Sequence, residues 1–92
     1  MRTVVVDCDG IKSEAELWQR YLAASSPDGA DYFGRNLCAF RDAVLAGGPG
    51  WPGECELRFC NTGQLKAIDE GLLYSALLSI AGSSKYVRMH VE

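Results

Sequence analysis

Ninety-two residues with 48% hydrophobic side chains can build one core, and they are too few for the cap and base of most two-lobed enzymes. The apolar fraction exceeds that of a disordered tail, and no segment reaches the roughly 18 uninterrupted apolar residues of a membrane span. A net charge of −3 argues against a nucleic-acid partner, which clustered cations would have to hold, and is compatible with a basic protein partner.

Thr3 to Asp7 is short and β-branched, the pattern of a strand buried on both faces in a parallel sheet. The apolar run at this end is shorter than the about 7–15 residues of a signal peptide's core, so a cytoplasmic location is expected. In that reducing compartment Cys8, Cys38, Cys55 and Cys60 are expected as free thiols. After the break at Cys8-Asp9-Gly10, Ser13 stands three residues before Glu16 as a capping box. A helix over residues 14–24 follows, with Leu17, Trp18, Tyr21 and Leu22 as its apolar stripe.

Ser25-Ser26-Pro27-Asp28-Gly29 has turn formers and no periodicity, and reads as a loop. The next helix is expected to start near Gly34, with Leu37, Phe40 and Val44 on one face and Cys38 and Asp42 one turn apart on another. That spacing points Asp42 away from the core. The Gly- and Pro-rich run over residues 47–53 can be neither helix nor central strand. Residues 54–61 alternate as a strand, and Asn61-Thr62 suits the cap of a short helix. Residues 69–81 read as a longer helix with Leu73, Ala76, Leu77 and Ile80 aligned, stopped by Gly82-Ser83-Ser84. A last strand over residues 86–91 places Val87, Met89 and Val91 on one side and Tyr86, Arg88 and His90 on the other. Strands alternating with helices predict a three-stranded parallel sheet with right-handed crossovers.

The segment Asp31-Tyr32-Phe33-Gly34-Arg35-Asn36-Leu37-Cys38-Ala39-Phe40-Arg41-Asp42 combines an aromatic pair, a glycine turn and a helix with an outward carboxylate. It resembles the recognition segment of the barstar family of intracellular ribonuclease inhibitors. There a tyrosine, a Y/F-G-x-N-L turn and an aspartate six residues after the Asn enter a ribonuclease active site. Here these correspond to Tyr32, Phe33 to Leu37, and Asp42. The order of elements along the rest of the chain fits as well.

The resemblance implies one domain over residues 1–92 with a barstar-like α/β fold, a three-stranded parallel sheet packed with three to four helices. It implies a protein inhibitor, without cofactor or metal, that forms a 1:1 complex with a secreted, guanyl-preferring microbial ribonuclease, for self-protection or as an immunity protein. Asp42 would mimic the RNA phosphate. Tyr32, Gly34, Asn36, Cys38 and Arg41 complete the expected partner-binding set, in which Tyr32 could equally cap the core beside Phe33. The chain departs from the family pattern at Cys38, where an acid is usual, and at Arg41, often an aromatic. Ser79 and Ser83 stand where the late helix commonly has acids. Fewer negative groups imply weaker electrostatic steering, or a target with a less basic cleft rim.

Other chemistry is less well supported by the residues. Val4-Val5-Val6-Asp7-Cys8-Asp9-Gly10 looks like the phosphatase signature D-x-D-G-T, in which the first Asp attacks phosphorus and the second is general acid. Ile11 replaces the Thr, and no later acidic pair completes a magnesium site. The other reading is that both Asp residues close a strand and a turn. His90, the sole histidine, lies on an apparent strand without a partner base, and Cys55 and Cys60 lack the close spacing of zinc ligands. An interaction module with a non-nuclease partner remains the further alternative.

Overall fold

A computed structural model describes residues 2–92. Three strands, β1 (Arg2–Asp7), β2 (Cys55–Cys60) and β3 (Arg88–Val91), form a parallel sheet in the order β1-β2-β3. The register pairs Val4 with Leu57 and Val6 with Phe59, and these in turn with Met89 and Val91. Helices α1 (Glu14–Ser25), α2 (Leu37–Ala46) and α3 (Leu72–Ser83) connect the strands, with 3-10 segments at Ala30–Tyr32 and Thr62–Gly71. The α/β architecture is therefore the expected one.

The core lies on one side of the sheet. Val4, Val6, Leu57, Phe59 and Met89 point into it, where they meet Leu17, Trp18 and Tyr21 of α1, Phe40 and Val44 of α2, and Leu73, Leu77 and Ile80 of α3. Trp18, Tyr21, Phe33 and Phe40 form an aromatic cluster with ring centroids 5.1–5.9 Å apart, the offset or edge-on packing that aromatic quadrupoles favour. Phe59 joins it from the sheet at 5.8 Å from Phe40.

The expectation that β1 is buried on both faces is not met. Its residues alternate, with Val4 and Val6 buried and Val5 52% exposed. A run of three valines reads the same for one or two buried faces; here the three helices cover only one. The other face carries Thr3, Asp7, Glu56, Arg58, Arg88 and His90, polar groups that suit a sheet open to water.

Helix boundaries moved for local reasons. Ser13 caps α1 by accepting from the Glu16 N–H at 3.3 Å, the first half of the capping box. Helix α2 begins at Leu37 rather than near Gly34, because Arg35 has φ +52 and Asn36 takes the extended N-cap conformation. Asp69 and Glu70 also have positive φ, so α3 starts at Leu72 rather than Asp69. At its other end α3 passes through Gly82 to Ser83, and Ser84 terminates it. Asn61 precedes the second 3-10 segment without a side-chain cap; its amide donates to Asp7 instead. The last strand is shorter than expected, Arg88–Val91. No helix among the described residues is long and apolar enough to cross a membrane.

Candidate functional site

Between α1 and α2 the chain alternates buried anchors with exposed residues. Phe33 is 5% exposed and Phe40 is fully buried, whereas Tyr32, the last residue of the 3-10 turn, is 81% exposed. Tyr32 therefore does not cap the core. Phe33 lies edge-on to Trp18 and tilted against Tyr21, so the backbone that presents Tyr32 is tied to α1 through the next residue. Hydrogen bonds from Tyr32 N–H to Gly29 O and from Phe33 N–H to Ala30 O close the turn.

The Gly- and Pro-rich connector supports the same anchor from below. Gly50 is buried with φ +92, and a Cβ there would stand 2.6 Å from the Phe33 ring. Its carbonyl accepts a 2.7 Å hydrogen bond from the Tyr21 hydroxyl. Burial pushes the Tyr21 hydroxyl well above its ordinary pKa, which keeps it protonated as a donor. Tyr21, Phe33 and Gly50 thus lock α1, the loop and the connector together.

Asn36 organises the start of α2. Its Oδ1 accepts from the Ala39 N–H at 2.8 Å, and its Nδ2 donates to Gly34 O at 3.1 Å. One amide thereby satisfies an otherwise free helix donor and fixes the preceding turn. Gly34 is needed for space rather than for its dihedral angles. A Cβ there would approach the Ala39 Cβ to 3.1 Å and the Asn36 amide to 3.4 Å.

Beyond this cap the outward side of α2 presents Cys38, Arg41 and Asp42, all exposed, with Arg35 exposed just before it. Cys38 is a free thiol. Among the described residues none of Arg35, Arg41 and Asp42 forms an ion pair, the three pairs found being Arg58–Glu56, Arg58–Glu92 and His90–Glu56. The backbone under Asp42 is held: its carbonyl accepts from the Gly48 N–H at 3.1 Å and that of Ala43 from Gly47 at 3.2 Å. Asp42 has no intramolecular task that explains it. It lies in the half of α2 nearer the negative end of the helix, where a carboxylate brings no macrodipole gain. The structure thus gathers Tyr32, Gly34, Asn36, Cys38, Arg41 and Asp42 on one loop and helix. Arg35 and Asp31, exposed on the same segment, were not singled out in the sequence; the left-handed conformation of Arg35 leaves no pattern there.

The phosphatase-like strand end is otherwise engaged. Asp7 Oδ1 accepts from the Asp9 N–H and from Asn61 Nδ2, both at 2.9 Å, and these bonds hold its pKa below the ordinary value. Arg20 donates to the carbonyls of Asp7 and Asp9. Asp7 thus closes the ends of β1 and β2, the turn role expected of it, whereas Asp9 takes part through its backbone alone and its side chain is exposed. Among the described residues no three His, Cys, Asp or Glu side chains are placed to share a metal ion.

No curated protein matches the chain. Residues 1–85 match the family model described as Barstar (barnase inhibitor), a span that takes in all three helices and the whole segment from Asp31 to Asp42, and the chain therefore belongs to the Barstar family.

Proposed function

We propose that this protein inhibits a secreted, guanyl-preferring microbial ribonuclease by occupying its active site in a 1:1 complex, with the Asp42 carboxylate standing in for the RNA phosphate. The observation that carries the reading is an exposed carboxylate without a cation of its own, on a helix capped at both ends. A ribonuclease cleft holds cationic side chains for a phosphodiester, and a carboxylate offered there forms charge-assisted hydrogen bonds. Because the helix is already rigid, little conformational entropy is lost on docking. Tyr32 contributes a flat apolar ring with a hydroxyl at its edge, suited to an interface. Gly34 leaves room for close approach of the partner, and Asn36 acts through the cap of α2. Such an inhibitor would protect its cytoplasm from the cell's own ribonuclease or from a competitor's.

The test is titration of the protein into microbial ribonucleases while RNA cleavage is followed, with Asp42→Ala in parallel. Removing one member of a desolvated charge pair costs about 3–5 kcal/mol, so the variant should lose at least about a hundredfold in inhibition. Its circular dichroism and Tm should stay at wild-type values, since Asp42 supports nothing within the fold. Full inhibition by Asp42→Ala would sink the phosphate-mimic reading. Salt should weaken the wild type more than the variant, because charges are screened over about 8–10 Å.

A further inference from the structure

One turn along α2 from Asp42, Cys38 marks the edge of a groove of about 200 Å³ between α2 and α3. Leu37, Cys38, Arg41, Ala76, Ser79 and Ile80 line it. Ile80 is 4% exposed and Leu37 half-buried, which makes the floor apolar, while Arg41 and Ser79 are exposed. Arg41 makes no ion pair or side-chain hydrogen bond among the described residues, and Arg35 at the head of the same helix makes none either. A guanidinium beside an apolar floor is a receptor in want of an anion. Once a partner covers the groove, water is displaced, the local dielectric falls and a carboxylate there is held more firmly than on an open surface.

We infer that this groove receives an acidic side chain of the ribonuclease, bound by Arg41, and that the pair selects which ribonuclease is inhibited. The inference rests on the inhibitor reading and adds a second, opposite charge requirement to it. Asp42 needs a cationic pocket; Arg41, the adjacent residue about 100° round the helix, needs a carboxylate within roughly a helix diameter, about 10 Å, of that pocket. A nuclease whose cleft is basic throughout its rim would meet the first and place a like charge against Arg41. A nuclease with a cationic centre and an acidic rim satisfies both. An aromatic side chain stacked on Arg41 is the competing occupant, and losing the guanidinium would then weaken binding to both enzymes alike, whatever the charge of their rims.

The experiment measures inhibition constants of the wild type, Arg41→Gln, Arg41→Glu and Asp42→Ala against two guanyl-preferring microbial ribonucleases, one of low and one of high isoelectric point. The wild type should inhibit the low-isoelectric-point enzyme at least about tenfold more tightly. Arg41→Gln should narrow that gap, and Arg41→Glu should close or reverse it, while unfolding midpoints remain unchanged because Arg41 has no partner in the fold. Equal losses against both enzymes, or no loss in Arg41→Glu, would overturn the acidic-partner inference and leave the inhibitor reading standing if Asp42→Ala is still defective. No inhibition of either enzyme by the wild type, or full activity of Asp42→Ala, would instead remove the reading on which the inference rests.

Discussion

On the open face of the sheet Arg58 lies 2.6 Å from Glu56 and 2.8 Å from Glu92, with His90 3.9 Å from Glu56. On the outer side of α2 and in the turn before it, Arg35, Arg41 and Asp42 form no ion pair among the described residues. Both regions are exposed and both mix signs, so composition does not distinguish them. What does is whether the charges satisfy one another. Glu56 and Arg58 stand two apart on the same side of β2 and pair with each other, and Glu92 reaches Arg58 from the end of β3, so these charges neutralise locally and suit a parallel sheet with one face open to water, an arrangement such sheets seldom adopt. On α2 the helical spacing keeps Arg41 and Asp42 about 100° apart, and each is left available to a second molecule.

This contrast depends on the scaffold beneath α2, and Gly50→Ala is the severest way to break it. The added methyl would overlap the Phe33 ring, at a backbone position with φ +92. Overpacking and a left-handed alanine together should cost about 3 kcal/mol of stability. Because Phe33 precedes the turn at Gly34 and follows Tyr32, inhibition should weaken as well. Chemical denaturation checks the first effect and titration the second. Wild-type stability would mean that the connector does not brace the loop.

Asn36→Ala attacks the helix start, at about 1 kcal/mol for a lost N-cap, with weaker inhibition because the exposed side of α2 is less firmly held. Asn36→Ser sharpens the comparison. Serine caps nearly as well as asparagine but cannot donate to Gly34 O in the same geometry. If Asn36 acts through the helix, serine restores most of both stability and inhibition; stability recovered without inhibition would instead place the Asn36 amide in the interface.

Much of this was legible in the residues. Asn36 three before Ala39, glycine at position 34 and the spacing of Phe40 and Val44 follow local rules of caps, turns and helical period, so the outward direction of Asp42 could be read without a structure. The parallel sheet followed from strands alternating with helices, and the division of β3 into two sides from alternation along it. What was hidden depended on the fold as a whole. Val4-Val5-Val6 does not say how many layers cover it. Arg35, Asp69 and Glu70 are left-handed, which their residue types do not announce, so α2 and α3 appeared to begin earlier than they do. The bracing of Phe33 by Gly50, seventeen residues on, is a tertiary contact without a local signature. The unpaired state of Arg41 and Asp42 is likewise known only once the neighbours of each are placed.

The smallest expected effect, and the sharpest control, comes from the sheet. Arg58→Ala removes two ion pairs between groups that are partly exposed, and such pairs contribute at most about 1 kcal/mol each, often nothing measurable. Stability should fall slightly, and inhibition should stay at the wild-type level because Arg58 lies on the sheet, outside the segment from Tyr32 to Asp42. The pH dependence supplies a second readout. The Arg58 hydrogen bond, with its positive charge beside it, holds the Glu56 carboxyl below its ordinary value of 4.5. A carboxylate depressed in the folded state binds fewer protons there than in the unfolded chain, so its contribution is fully present above about pH 4.5 and fades as pH falls through the lower folded value. Arg58→Ala should therefore flatten the loss of Tm below that pH. An acid limb equally steep in wild type and Arg58→Ala would mean that the sheet charges do not stabilise one another, and the distinction between a self-satisfied face and an available one would have to rest on α2 alone.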